Sequence, residues 1–287
     1  MKQSYCIYTD EFYNSSAMSL EHIIPLSLGG CNELNIDVNS NINKILGSKI
    51  DGRLCNDYLI SCLRRRKNLK GHNKTAPLTK FTNVKFKESN LPIQITHRAN
   101  SKTVYDLRNR KYLTDEESKG RQLIFTIPFD KQIRALFVAK VALSAGYFIY
   151  GDTFVNETDH KSLREYMNFS IHRDENLILN SPLRFIDEFL EDCDERTSRM
   201  RDYFNLIFKT LNCTCVKFAL CSEHFLVSVA IAGQYLATIN FKANVKQFPN
   251  SGLYSGGHVI TIQDGKLKRA SLNHIEKIVK HQYSSMR

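Results

Sequence analysis

SLEHIIPLSLGGCNELNIDVNSNINKILGSKIDG, residues 19 to 52, changes its pattern three times in a short span, and the reading of the chain starts there. Ser16 to Ile24 reads as a short extended piece, broken by Pro25 and by the pair Gly29 and Gly30, so a loop must follow. Leu34, Ile36 and Val38 then alternate with polar residues, as in a half-buried strand. A helical spacing begins near Asn39, where Ile42, Ile45, Leu46, Ile50, Leu54 and Tyr58 can share one face. Gly47 and Gly52 each weaken that helix by up to about 1 kcal/mol relative to alanine, which predicts a bend or break.

Downstream, the run RRRKNLKGHNK, residues 64 to 74, ends the helical pattern, and Pro77 closes it. The boundary expected here divides the chain into residues 1–75 and 76–287. VKFKES, PIQITH and TVYDLR give three strand-like runs, and Thr114 with Glu117 three residues on signals a short helix. QLIFTIPF reads as a buried strand and Gln132 to Tyr150 as an apolar helix ended near Gly151. Helices are expected around Leu183 to Leu190 and Arg199 to Leu211. CVKFAL, FLVSVAIA and YLATINF read as consecutive antiparallel strands, HVITI as another, and Ser271 to Tyr283 as a final amphipathic helix. The fold class expected is α+β: a small N-terminal strand–strand–helix module followed by a larger mixed α+β domain with antiparallel strands.

Composition narrows the function. An apolar fraction of 42% and a charged fraction of 24% suit a globular chain with a substantial core. No run of 18 or more apolar residues occurs, and MKQSYCIYTDEFYN lacks a signal-peptide core, so a cytoplasmic protein without a membrane partner is expected. The net charge of +11 points to a polyanionic partner. Residues 1 to 110 hold 17 Lys and Arg against 9 Asp and Glu, which places +8 of that charge at the front. Eight cysteines are too sparse for a disulfide framework, and reduced thiols are expected. Cys213, Cys215, Cys221 and His224 lie near one another, but the alternation around them favours small buried apolar side chains over metal ligands.

The 19–52 stretch resembles the HNH endonuclease superfamily, the ββα-metal nucleases. An acidic residue followed by His, then IIP and a Gly-rich turn, then an Asn at the start of a Gly-ended helix carry the resemblance, which covers about an eighth of the chain tightly. It implies a ββα-metal module in which the third signature position falls on Asn43. It also implies a middle Asn that orients the loop carrying the base. Asn35 is taken for that role, with Asn32 as a competing assignment. Many members brace this region with two Cys pairs around zinc. Here Thr9 stands three residues after Cys6, and Asn39 and Ile42 stand where the second pair is expected, so no structural zinc is expected.

Phosphodiester cleavage needs a nucleophilic water and relief of charge on the phosphate and leaving oxygen, which a divalent metal with a nearby base can supply. Glu21 offers a hard carboxylate oxygen and Asn43 a hard amide oxygen, a pair suited to Mg²⁺ (or Mn²⁺). His22 then remains as general base, since imidazole is mostly neutral at physiological pH. Arg64, Arg65, Arg66, Lys67, Lys70, His72 and Lys74 are the candidate nucleic-acid contacts. The same cations suit a solvated helix C-terminus, and His72 suits a turn. Asn39 and Asn41 read as capping or solvated positions.

Three functions follow. The first is a metal-dependent DNA endonuclease, whose family context suggests bacterial or mobile-element DNA processing or defence. The second is a non-cleaving nucleic-acid-binding or sensor protein that retains the module. The third, an RNA-directed nuclease, would need a preference for the 2′-hydroxyl. A homodimer would make double-strand cutting straightforward.

Overall fold

Residues 3–284 of the computed structural model are described, apart from 73, 76, 77, 99, 100, 128, 173, 174, 176–180, 190–192, 250 and 251. Two compact units emerge. One combines Met1–Leu54 with Lys131–Arg287, and the other is Cys55–Asp130. The boundary expected between residues 75 and 76 falls inside the second unit. The basic run suggests a boundary because it ends the helical pattern, but its helix packs on the first strand that follows it, within the same unit.

In the first unit, strands β1 (Gln3–Cys6) and β2 (Glu11–Asn14) form one antiparallel hairpin. Strands β3 (Met18–His22) and β4 (Asn35–Asn39) form another. Alternation sets the second: Leu34, Ile36 and Val38 are buried, and the polar residues between them are not. Asn39 caps α1 (Ser40–Leu46) by accepting from the backbone N–H groups of Asn41 and Ile42. The bend expected at the glycines is present. A π-helical turn, Gly47–Gly52, follows α1 and leads into α2 (Arg53–Asn56). Leu46, Ile50 and Leu54 face the core, whereas Ile45, assigned to the same face, is 38% exposed. The widened turn rotates the buried stripe and brings Asp51 inward.

The remainder of this unit is a six-stranded antiparallel sheet in the order β10-β13-β12-β11-β14-β15. Its strands are Arg184–Asp187 (β10), Thr214–Cys221 (β11), His224–Ile231 (β12), Gln234–Lys242 (β13), Gly257–Gln263 (β14) and Lys266–Ser271 (β15). Helices α5 (Lys131–Tyr150), α6 (Asp152–Glu157) and α7 (His160–His172) lie on one side, where Tyr150 and Phe154 meet Phe225. The opposite face carries Cys213, Cys215, Tyr235 and Val259, packed against Phe204 and Phe208 of the helix Glu195–Leu211 and Ile275 of the helix Leu272–Ser284. Both faces of the central strands are therefore buried. The helix expected around Leu183 to Leu190 is instead β10, whose Phe185 and Ile186 pair with Ile239 and Thr238. Residue 190 lies outside the described set. A short apolar run fits either period, and the open edge of β13 decides for strand.

α5 is apolar all round, as a core helix must be. It is long and apolar enough to cross a membrane by length and composition, and most of it is buried within its unit. Its interior nevertheless contains Arg134, Lys140 and Ser144, all nearly inaccessible.

The second unit holds α3 (Tyr58–Arg66), α4 (Asp115–Ser118) and a five-stranded antiparallel sheet in the order β8-β7-β6-β5-β9. Its strands are Thr79–Phe86 (β5), Pro92–His97 (β6), Lys102–Asp106 (β7), Lys111–Leu113 (β8) and Leu123–Phe125 (β9). Val84, Phe86, Ile93, Ile95 and Val104 make its core. Thr114 and Glu117 close the expected capping box. Among the described residues of QLIFTIPF, Leu123–Phe125 form the three-residue edge strand β9. Ile124 and Phe125 on it are 39% and 42% exposed, so the segment is not the buried strand its composition suggested.

Candidate active site

The sequence places Glu21, His22, Asn35 and Asn43 within one hairpin and the helix after it, and the structure sets them on neighbouring stretches of backbone. His22 stands directly across from Asn35 in the β3–β4 register, with Glu21 across from Ile36. Successive side chains of a strand point to opposite faces, so Ser19 and Glu21 share one face and Leu20 and His22 the other. Exposure agrees: Glu21 is buried, and Leu20 is 55% exposed. Asn43, in the first turns of α1, donates its amide to Ser19 Oγ at 3.0 Å and to the Leu20 carbonyl at 3.2 Å. This fixes Asn43 against the backbone beside Glu21 and leaves its Oδ1 outside both bonds.

Of the two candidate middle asparagines, Asn32 lies in the loop between the strands and Asn35 opens β4. Asn32 Oδ1 lies 3.0 Å from His22 Nε2. Asn35 donates its side-chain amide to the backbone carbonyl of Asn32. Asn35 thus holds the loop, and Asn32 touches the imidazole. The contact holds the imidazole through Nε2.

Close packing makes the loop rigid. Gly30 donates to the Pro25 carbonyl at 3.1 Å, and a Cβ at Gly30 would lie 1.8 Å from the Ile24 carbonyl oxygen, so no other residue fits without moving the backbone. Thr214 of β11 donates its hydroxyl to the Leu28 carbonyl at 2.9 Å, and Glu33 accepts from Leu267 N at 3.2 Å. The large sheet therefore anchors the loop that orients His22.

Behind Glu21 lies a group the sequence reading missed. Lys140 of α5, fully buried, makes an ion pair with Glu21 Oε1 and another with Asp51 Oδ2 at 2.6 Å. Burial pushes the Asp51 carboxyl up to about 6 against the pull of Lys140, with the Glu21 charge adding to the rise. Burial opposes the charge on Lys140, but Asp51, Tyr8 and Glu21 together raise its pKa above the ordinary lysine value. Burial likewise raises the Tyr8 phenol. Asp51 Oδ1 is buried without a hydrogen-bond partner. The ammonium thus stands between two buried carboxylates, and the trio is one positive charge short of neutrality when both are ionised. An aspartate in an apolar helical run and a lysine in an apolar helix were the available signals, because each must find a partner to be buried.

Cys6 is buried, and its Sγ accepts from the backbone N–H of Asn39 at 3.2 Å, so the N-terminal hairpin docks at the cap of α1. Among the described residues no group of three or more His, Cys, Asp or Glu side chains gathers at one point. Cys213 and Cys215 are buried in the core cluster under the helix Glu195–Leu211, as apolar residues would be.

The basic candidates lie in the Cys55–Asp130 unit. Arg64, Arg65 and Arg66 form the last turn of α3 and Lys67 its C-cap, a placement that suits cations because helix carbonyls point there. Arg64 Nη1 donates to the Cys55 carbonyl at 3.1 Å. Lys70, His72 and Lys74 follow in exposed, irregular chain.

Comparison with protein-family models, with curated proteins and with solved structures finds no match for this chain.

Proposed function

We propose that this protein is a metal-dependent endonuclease of the HNH type that hydrolyses DNA phosphodiester bonds. One observation carries the reading: Glu21 and His22 are consecutive on a strand that pairs through His22 with Asn35, and the side chain of Asn43 from the following helix is bonded to that same strand. In this reading β3, β4 and α1 are the ββα-metal module. The chain uses Cys6 at the Asn39 cap where a zinc knuckle is the alternative.

The donor set fits Mg²⁺ or Mn²⁺, since Glu21 and Asn43 offer hard oxygens and the buried carboxylates leave negative charge for a cation to balance. The bound ion would supply Lewis-acid stabilisation of the phosphate oxygens. The chain's own part is proton transfer. His22, held through Nε2 by Asn32, takes the proton of the attacking water. The water oxygen bonds to phosphorus as the bond to the leaving sugar oxygen breaks. Asn35 is a positioning residue, acting through the Asn32 backbone. Lys140 keeps Glu21 in one place.

Supercoiled plasmid incubated with wild-type protein and His22→Ala, in Mg²⁺, Mn²⁺ and EDTA, tests this. Nicking that needs metal and is lost in an equally folded His22→Ala protein supports it. Equal cutting by both proteins removes His22 from the chemistry. The pairing of Glu21 with Lys140 favours a second reading, a nucleic-acid-binding protein that has kept the module and satisfied its carboxylate internally. Absence of cutting in either metal, with DNA binding unchanged by EDTA, would select it.

A further inference from the structure

The Cys55–Asp130 unit carries 16 Lys and Arg against 7 Asp and Glu, a surplus of nine out of the chain's +11. Such charge in so small a unit attracts polyanions over a long range. Within it, α3, the chain after it and strands β5 and β9 enclose a cleft of about 850 Å³. Arg64, His72 and Lys80 line this cleft together with the rings of Tyr58, Phe81 and Phe125. Phe81 meets Tyr58 edge-on at 5.0 Å and Phe125 at 6.0 Å, so the rings form one connected wall. Phe125 is 42% exposed although it sits on a strand, and Leu78 at the same cleft is 48% exposed. Lys80 is exposed as well, and the bond from Arg64 Nη1 to the Cys55 carbonyl holds its guanidinium charge at the cleft.

We propose that this cleft binds single-stranded nucleic acid, stacking bases on Phe125 and Phe81 and neutralising phosphates with Arg64 and Lys80. A metal ion plays no part in this binding. The rings decide between strand types. A duplex keeps its base faces stacked inside and gains nothing from aromatic walls, whereas every unpaired base has a π-face to offer. The cations alone would bind either form; the connected rings in the same cleft favour the single strand. This surface adds Tyr58, Lys80, Phe81 and Phe125 to the basic residues that the sequence marked. It is independent of the cleavage reading, because its chemistry needs neither Glu21 nor His22.

Fluorescence anisotropy of the full chain in EDTA tests it with three labelled probes of equal length: a single-stranded DNA, the same sequence as duplex, and the same sequence as single-stranded RNA. Tighter binding of either single strand than of duplex is expected. Phe125→Ala should weaken it by about fivefold to a hundredfold, the range of one lost base stack, while Phe125→Tyr retains it. Lys80→Ala should weaken all sequences alike and reduce the slope of log K against log salt by about 0.7. Phe81 also packs on the core of the sheet, so Phe81→Leu, with its melting curve, is the variant to use there. Duplex bound as well as single strand, or single-strand binding indifferent to Phe125→Ala, overturns the proposal. Because chelator abolishes metal-dependent cutting but not this binding, the two readings fail separately.

Discussion

Replacing Lys140 with methionine removes the charge from the buried trio while nearly preserving volume. Glu21 is 7% and Asp51 8% exposed, and Lys140 is wholly buried between them. Two carboxylates would then share an interior without a counter-ion, the situation in which breaking a buried ion pair costs about 3–5 kcal/mol. In a unit of this size that loss lowers Tm by roughly 6–20 °C, at about 2–4 °C per kcal/mol. The pH dependence supplies the stricter check. Asp51 already has its carboxyl raised to about 6 in the folded chain, above the ordinary 3.8, chiefly by burial. Lys140 lowers it, so its removal raises it further. A group with a raised folded pKa stabilises fully below its unfolded pKa and loses that contribution as pH climbs through the folded value. The deficit of Lys140→Met should therefore be large at pH 7.5 and smaller at pH 5, where the carboxyls take up protons. Adding Asp51→Asn should recover part of it at pH 7.5. Urea unfolding of the wild type, the single variant and the double variant at both pH values measures this. A deficit below about 1 kcal/mol at pH 7.5, or one that grows on acidification, refutes the reasoning.

Gly30→Ala should destabilise the chain by about 1–3 kcal/mol in thermal unfolding, because its Cβ would have to displace the Ile24 carbonyl, and it should reduce nicking through the shifted Asn32. Thr214→Val leaves the buried Leu28 carbonyl without its donor and should cost about 1–3 kcal/mol, read from the same melts. Thr114→Ala opens the capping box and should cost about 0.5–2 kcal/mol, with faster hydrogen exchange confined to 111–119. Lys217 is buried over the Phe204 ring, and burial lowers its pKa to about 8. The unfolded chain then holds more protons between pH 8 and 10.5, so wild-type stability should gain from this group as pH rises through that window, and Lys217→Met should abolish the gain.

Much of the site was legible because it is local. The alternation of Leu34, Ile36 and Val38 fixes the face of β4, and a hairpin then leaves one register that sets His22 against Asn35. Gly47 and Gly52 marked the ends of the π-helical turn to the residue. What spacing could not separate was Asn32 from Asn35, since the loop that holds the first and leads into the second follows a path set by contacts with Thr214 and Leu267, far away in the chain. Lys140 was hidden for the same reason: an isolated charge in an apolar helix does not announce its partner, 89 residues upstream at Asp51. Phe185 and Ile186 fit either period because an apolar run of this length does, and only pairing with β13, some fifty residues on, makes them strand. The division at residue 75 failed to match the two units because sequence reading favours continuous domains, and this one is not continuous.

That discontinuity sets an order on events during synthesis. The hairpin with Glu21, His22 and Asn43 leaves the ribosome first, but the lysine that pairs with Glu21 and the strand that ties down the Leu28 loop come only after Cys55–Asp130 has been made. At about 5–20 residues per second, the intervening segment alone takes several seconds. A nascent chain, or one cut short before Lys131, therefore carries the residues of the candidate site without the scaffold that holds them, and the arrangement described above would assemble only once translation had passed β11.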